Sequence, residues 1–439
     1  MHHADLIIEA RWVVPVRPRG KPLENHVVAI RDGLIAAIMP ADALHEAWQS
    51  TRVVRLPTQV LLPGLVNAHT HAAMTLMRGL ADDLPLMQWL GEHIWPAEAQ
   101  HVSAEFVYDG SLLACAEMLR GGVTTFNDMY FFPEMAGRAA LRAGMRAALG
   151  IILIEFPTAY ASDAQDYLRK GLAMRDELKG ESLLSFCMSP HAPYTVSDKS
   201  FEQVLTLAEQ LQLPIQVHLH ETRAEIEQSL RDHSARPLER LRRLGLLGPN
   251  FIAVHAVHLL AEEIELLAQQ GCHVVHCPSS NLKLASGFAP VGTLLKRGVN
   301  IALGTDGAAS NNRLDLFEEM RLAALLAKAV SDDAQTMPAH DAIEAATLGG
   351  AKALGLDKLI GSIEIGKAAD LIAVSMDGIE LAPCFDVASH LVYAAGREQV
   401  SDVWVAGQAL LENRRLTRVD IDDLKLRALR WRNKILEQT

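Results

Sequence analysis

The chain has 439 residues, 49% of them hydrophobic, and a formal net charge of −12 from 41 basic and 53 acidic residues, enough length for a large core and the wrong sign for a nucleic-acid or anionic-membrane surface. No apolar run reaches the length of a membrane span, and the first residues, His2-His3-Ala4-Asp5, do not read as a secretory leader. Five scattered cysteines (Cys115, Cys187, Cys272, Cys277 and Cys384) argue against a disulfide scaffold or zinc knuckle and suit a reducing cytoplasm, leaving a small molecule as the expected partner.

Over residues 1–62, apolar runs such as Asp5-Leu6-Ile7-Ile8 and His26-Val27-Val28-Ala29-Ile30, with the turn signal Arg31-Asp32-Gly33, predict small β structure. Residues 63–358 alternate strand-like and helical patterns. The strand-like runs are Leu65–His71, Val123–Phe126, Met145–Ile154, Leu183–Met188, Pro214–His220, Phe251–His255, His273–Cys277 and Asn300–Gly304. Helical patterns between them include Ser200–Leu211, Ala261–Gln270 and Pro290–Arg297. Eight strands alternating with helices predict a (β/α)8 barrel. Over 359–439 β runs return at Asp370–Val374 and Val403–Gly407, before a charged terminal helix from about Asp420. The two β-rich ends are expected to fold together.

The first barrel strand carries the strongest chemical signal. Pro63-Gly64-Leu65-Val66-Asn67-Ala68-His69-Thr70-His71 follows the apolar run Val53–Leu62, so a strand ending near His71 is the natural reading. Residues i and i+2 share a strand face, so His69 and His71 can reach one ion. An isolated His-x-His is more often a pair of satisfied core or surface histidines. Three later strands shift that balance: the apolar strand from Pro214 ends in histidine and acid, with His218, His220 and Glu221, Phe251–His255 ends in histidine, and Asp306 ends the last, in Asn300-Ile301-Ala302-Leu303-Gly304-Thr305-Asp306-Gly307. Barrel active sites sit at the carboxyl ends of strands, where residues distant in sequence converge above one mouth. His220 and His258 lie beside better candidates. Alternation puts His220 on the face of His218 and opposite Glu221, and both histidines are expected to hydrogen-bond behind the site.

These segments, with the late Gly361-Ser362-Ile363-Glu364-Ile365-Gly366-Lys367-Ala368-Ala369-Asp370-Leu371, resemble the amidohydrolase superfamily over nearly the whole chain. The resemblance implies an α/β fold: a distorted (β/α)8 TIM barrel with a small β-sandwich domain built from both chain ends. It implies His69, His71, His218 and Asp306 as ligands of one divalent metal ion. Zn2+ suits three imidazoles and a carboxylate, with Fe2+ as the alternative, since nitrogen and oxygen donors discriminate weakly. Members with two metals usually bridge them with a carboxylated lysine at the end of the fourth strand. That strand here ends Cys187-Met188-Ser189-Pro190-His191, so one ion is expected. Such an ion lowers the pKa of a water toward neutrality. Glu221 resembles the family's proton shuttle from water to a ring nitrogen, His255 would orient the attacking oxygen, and Asp306 would act as ligand and base. The expectation is deamination of a cyclic amidine. Guanine or triazine deamination and triazine chlorohydrolysis are the alternatives, and the complete ligand set argues against a non-catalytic scaffold.

A narrower resemblance, to 5′-methylthioadenosine/S-adenosylhomocysteine deaminases, rests on His71-Ala72-Ala73-Met74-Thr75-Leu76-Met77-Arg78-Gly79, Asp82-Asp83-Leu84-Pro85-Leu86-Met87-Gln88-Trp89-Leu90 and Ile94-Trp95-Pro96-Ala97-Glu98. It implies that Glu98 holds the ribose hydroxyls of a nucleoside, that Trp89 lies beside the nucleoside and that His191 contacts it. The plain alternatives are a first-turn helix acid for Glu98 and a core aromatic for Trp89. Ser279-Ser280-Asn281 and Ser310-Asn311-Asn312 also resemble the family, although loop polarity accounts for them almost as well. There is one departure. Members that accept S-adenosylhomocysteine carry arginines in the loop after the third strand, whereas Phe156–Asp166 has none, and Arg169 and Arg175 follow on a predicted helix. The expected substrate is 5′-methylthioadenosine ahead of S-adenosylhomocysteine, with adenosine weaker. Barrels of this kind often self-associate, so a homo-oligomer is expected by analogy.

Overall fold

The structure is a computed structural model and describes residues 2–437. Eight parallel strands make the barrel: β1 Leu65–Thr70, β2 Val123–Asp128, β3 Arg146–Leu153, β4 Leu184–Pro190, β5 Ile215–Leu219, β6 Phe251–His255, β7 His273–His276 and β8 Asn300–Leu303. They pair in sequence order. All but a few strand residues are buried, because helices cover the outer face while side chains fill the interior. This two-sided burial is why the strands read as continuous apolar runs. Three of the helices lie at Asp198–Leu211, Ala261–Gln269 and Val291–Lys296, close to the predicted spans.

Among the described residues no strand ladder joins β8 to β1; the Asn67 side chain and one main-chain bond close that seam. Asn67 on β1 donates through Nδ2 to Thr305 Oγ1 (2.8 Å) and accepts the Thr305 backbone N–H at Oδ1 (3.0 Å). The Asp306 N–H donates to the His69 carbonyl (3.1 Å). Gly304 permits this approach, since a Cβ there would stand 2.9 Å from the His69 Cβ. Closure therefore sets the first and last residues of the expected ligand set side by side.

Both chain ends build one mixed eight-stranded sheet, in the order Arg415–Leu416, Gln408–Glu412, Val400–Val405, Leu371–Ser375, Val53–Pro63, Leu6–Val13, Leu23–Arg31, Leu34–Pro40. Its two halves share a core in which Leu6, Ile8, Val28 and Ile30 meet Leu371 and Trp404. The run Val53–Leu62 does not continue into β1 as one strand. It lies at the centre of the terminal sheet, between Leu6–Val13 and Leu371–Ser375. The chain crosses into the barrel at Gly64, where a Cβ would fall 2.1 Å from Thr124 Oγ1. A charged helix, Ile421–Leu436, ends the described chain; Asp420 caps it, and Trp431 docks it by donating to buried Asp109 (3.0 Å). Among the described residues all five cysteines are free, and no helix is long and apolar enough to cross a membrane.

Candidate active site

Donor atoms of His69, His71, His218 and Asp306 all lie within 4.8 Å of one another at the barrel mouth. β1 stops at Thr70, and His71 follows in a near-extended conformation (φ −122°) that keeps its ring with that of His69. Each imidazole turns Nε2 to the cluster because its Nδ1 is bound elsewhere. His71 Nδ1–H donates to the Met129 carbonyl (2.6 Å), His218 to the His191 carbonyl (2.8 Å) and His69 to Gln216 Oε1 (3.3 Å). These bonds select the tautomer with a lone pair on Nε2. His69 Nε2 and His218 Nε2 then face each other at 3.1 Å with no proton between them, while Asp306 Oδ1 lies 3.1 Å from His71 Nε2 and 3.5 Å from His69 Nε2. Buried lone pairs converging in this way repel unless a cation lies among them. The spacing also fits one, since bonds of about 2.0–2.1 Å to tetrahedral zinc set ligands about 3.3 Å apart. The residues present therefore fit a divalent ion.

Electrostatics in the cluster make the same demand. Burial lowers His69 to about 4 and takes His218 well below its ordinary range, so both are neutral. Burial works against a charge on His71 as well, yet the Asp306 carboxylate and the Met129 carbonyl raise it to about 9. Asp306 resists burial in turn through His69 and His71 and stays well below the carboxylate range. One positive charge is called for at this point, whether a proton or a metal ion supplies it.

Glu221 and His255 stand beside the cluster. Glu221 Oε2 lies 3.7 Å from His255 Nε2, and Ser286 Oγ donates to Oε1 (3.3 Å). Burial raises the Glu221 carboxyl above its ordinary range, opposed by His255; that direction suits a group that takes and returns a proton near neutrality. Glu225, in the first turn of the helix Arg223–His233, accepts the backbone N–H groups of His220 (3.0 Å) and Glu221 (2.8 Å) and so pins the turn that aims Glu221. His220 (φ +53°), His255 (φ +70°) and Asp306 (φ +62°) all adopt the left-handed region at or just past strand ends. Such residues cost on the order of 1–3 kcal/mol each and collect at functional sites.

The expected substrate residues open onto the same cavity, of about 310 Å³, which is lined by Trp89, Glu98 and His191 as well as His71, His218, Glu221, His255 and Asp306. Glu98 lies in the first turn of the helix Trp95–His101, as the plain reading had it, but its carboxylate faces the cavity and accepts from Tyr130 OH (2.7 Å). Burial raises it to about 7. His191 is lowered to about 3 by burial and holds Thr195 Oγ1 through Nδ1 (3.0 Å), so a neutral ring faces the cavity. Trp89 spends its N–H on the Ala81 carbonyl (3.1 Å) and offers only apolar surface.

His220 does not share the face of His218. β5 ends at Leu219, and the left-handed turn at His220 sends its ring toward the helix Pro237–Arg243, where Nε2 accepts the Leu238 N–H (3.1 Å). His258 holds the Ser286 carbonyl through Nε2 (2.8 Å). Neither lines the cavity. Sequence reasoning misses Gln216 and Tyr130. Gln216 accepts from Asn127 Nδ2 (2.8 Å) as well as His69 and donates to Ser189 Oγ (2.9 Å), forming a buried polar layer beneath the cluster. Its spacing of two from His218 was the available signal; Tyr130 had none beyond following a strand end.

A closed parallel barrel with three imidazoles and a carboxylate converging at its mouth defines a metal-dependent hydrolase. The amidohydrolase family model matches residues 60–410. A 5-methylthioadenosine/S-adenosylhomocysteine deaminase of Saccharophagus degradans is 48% identical over 435 residues, 99% of this chain and 98% of that one. Another, of Syntrophobacter fumaroxidans, is 46% identical over 421 residues, 96% of each chain. Among solved structures, an adenosine deaminase from Xanthomonas campestris with bound zinc has a TM-score of 0.98 at 49% identity, with 99% of both chains covered. A triazine hydrolase variant shares the fold alone, with a TM-score of 0.90 at 22% identity over 97% of this chain and 99% of that one. The chain belongs to the amidohydrolase family and, within it, to the 5-methylthioadenosine/S-adenosylhomocysteine deaminases, hydrolases acting on carbon–nitrogen bonds.

Proposed function

We propose that the protein hydrolyses 5′-methylthioadenosine to its inosine analogue and ammonia, in preference to S-adenosylhomocysteine, with adenosine as a weaker substrate. The observation that carries the preference is the cavity wall. Beyond the cluster it is built largely from apolar side chains such as Trp95, Phe131, Ile154 and Phe156, and no lysine or arginine among the described residues lines it. Arg169 and Arg175 sit on the helix Ala164–Leu178 and pair with Asp166 and Asp176. A homocysteine tail would bring a carboxylate and an ammonium into this wall without a bidentate partner. A methylthio group is apolar, polarizable and suited to aromatic contact.

The donor set suits one zinc ion, which when bound supplies a water ionised near neutral pH. Glu221 moves a proton from the attacking water to the ring nitrogen beside the attacked carbon, and His255 orients the incoming oxygen. Asp306 takes the second proton of that oxygen and returns it to the amino group, which departs as ammonia. Glu98 accepts from the vicinal ribose hydroxyls, and His191 and Trp89 bound the nucleoside.

An assay of ammonia release on 5′-methylthioadenosine, S-adenosylhomocysteine, adenosine and guanine, and of both ammonia and chloride release on a chlorotriazine, tests this reading. The expected order of kcat/KM follows that series, and turnover of free bases or triazines alone sinks it. Glu98→Ala is expected to lower kcat/KM for nucleosides about tenfold to a hundredfold, through loss of charge-assisted hydrogen bonds worth about 1.5–3 kcal/mol. An unchanged value removes the ribose role.

A further inference from the structure

We propose that the segment Ser279-Ser280-Asn281, with Ser310, is the positioning device of the reaction centre: two serines aim Asp306 at the ion and Asn281 aims His255 at the attacking oxygen. The short helix Pro278–Lys283 after β7 carries Ser280 and Asn281. Ser280 Oγ (2.6 Å) and Ser310 Oγ (2.9 Å) both donate to Asp306 Oδ2. With Oδ2 occupied, only Oδ1 is left to face the imidazoles, so the carboxylate presents one oxygen in a fixed plane. One residue further on, Asn281 Oδ1 accepts from His255 Nδ1 at 2.8 Å. That bond puts a proton on His255 Nδ1 and turns Nε2 toward Glu221 and the cavity.

A fourth residue couples the two segments. Glu319, buried on the helix Leu316–Ser331, accepts the Ser279 N–H (3.0 Å) and Asn311 Nδ2 (2.8 Å), tying the segment after β7 to the loop that holds Ser310. Ser280, Asn281, Ser310 and Glu319 are all buried, so loop polarity does not explain them. Buried polar groups with specific partners are the ones that hold geometry.

The Asn281 half rests on the deaminase reading for the part played by His255. The serine half rests on the donor set alone. Zinc affinity by chelator competition, measured without substrate, keeps the two separable. The double variant Ser280→Ala/Ser310→Ala is expected to bind zinc about 10–100-fold more weakly, and an unchanged affinity overturns the serine role. Should it fail to fold, Ser310→Ala alone leaves Oδ2 one donor and is expected to give a smaller loss, an unchanged affinity again overturning the role. Asn281→Leu is expected to keep parent zinc affinity and KM while kcat for the protein's best nucleoside falls about 10–100-fold. Asn281→Asp, which retains an oxygen facing Nδ1, is expected to recover most of that loss at equal zinc content. Parallel loss of affinity and kcat in Asn281→Leu, or no recovery in Asn281→Asp, overturns the tautomer role.

Discussion

Glu221→Gln is expected to lower kcat about a hundredfold to ten-thousandfold, the usual worth of a positioned acid–base group, with zinc content and KM near parent values. The substitution is isosteric, and the backbone N–H groups of His220 and Glu221 remain on Glu225. Ser286 keeps an oxygen to donate to. What disappears is the ability to carry a proton. The pH profile gives a second signature. Burial raises the Glu221 carboxyl above its ordinary range, and only the ionised form can accept a proton from water. Activity is therefore present above that raised value and lost as pH falls through it, so kcat at saturating nucleoside and full zinc occupancy, where Glu98 and the donor set add no limb of their own, is expected to have an acid limb displaced toward neutrality. Glu221→Gln should lose both the rate and the limb in ammonia-release measurements. A variant within a few-fold of parent kcat, or one with the acid limb intact, would assign the proton transfer to another residue.

Much of the barrel and the donor set was legible because parallel barrel strands are buried on both faces and stand out as apolar runs. Polar residues at the ends of such runs, His69, His218, His255 and Asp306, are then conspicuous. Four kinds of feature were not legible. Main-chain acceptors, the Met129 and His191 carbonyls that select the His71 and His218 tautomers, leave no mark on residue identity. A left-handed residue breaks strand alternation without warning, which is why His220 turns away from the face that periodicity assigned to it. Gln216 and Tyr130 are single polar residues whose partners, Asn127 with His69 and Glu98, come from other elements. The glycine between two apolar runs was likewise silent about a change of sheet at Gly64. Ser280 and Asn281 were visible as a motif, but only their burial and partners separate them from an ordinary polar loop.

Removing the ion is expected to abolish turnover and to lower the thermal midpoint, with a gap that widens as pH rises. A ligand that binds the folded chain alone adds about 4 kcal/mol at a free concentration a thousand times its Kd, so a zinc-loaded sample should melt well above a chelator-treated one. The pH dependence follows from His71. In the ion-free protein its folded pKa, about 9, lies above its unfolded value near 6.5. Its proton therefore stabilises the folded state fully below about pH 6.5, and that stabilisation is lost as pH rises through about 9. Zinc must displace the same proton, so its affinity grows over the same window. Ion-free protein thus loses its substitute charge where the loaded protein holds its own most firmly. Melting curves of chelator-treated and zinc-reconstituted samples from pH 6 to 9.5 measure the gap, and His218→Ala, which removes a donor but leaves His71 and Asp306 paired, should behave as the chelator-treated protein does at every pH. A gap that stays constant or narrows as pH rises would show that His71 and the ion do not compete for one place, and full turnover after stoichiometric metal loss would remove the ion from the reaction.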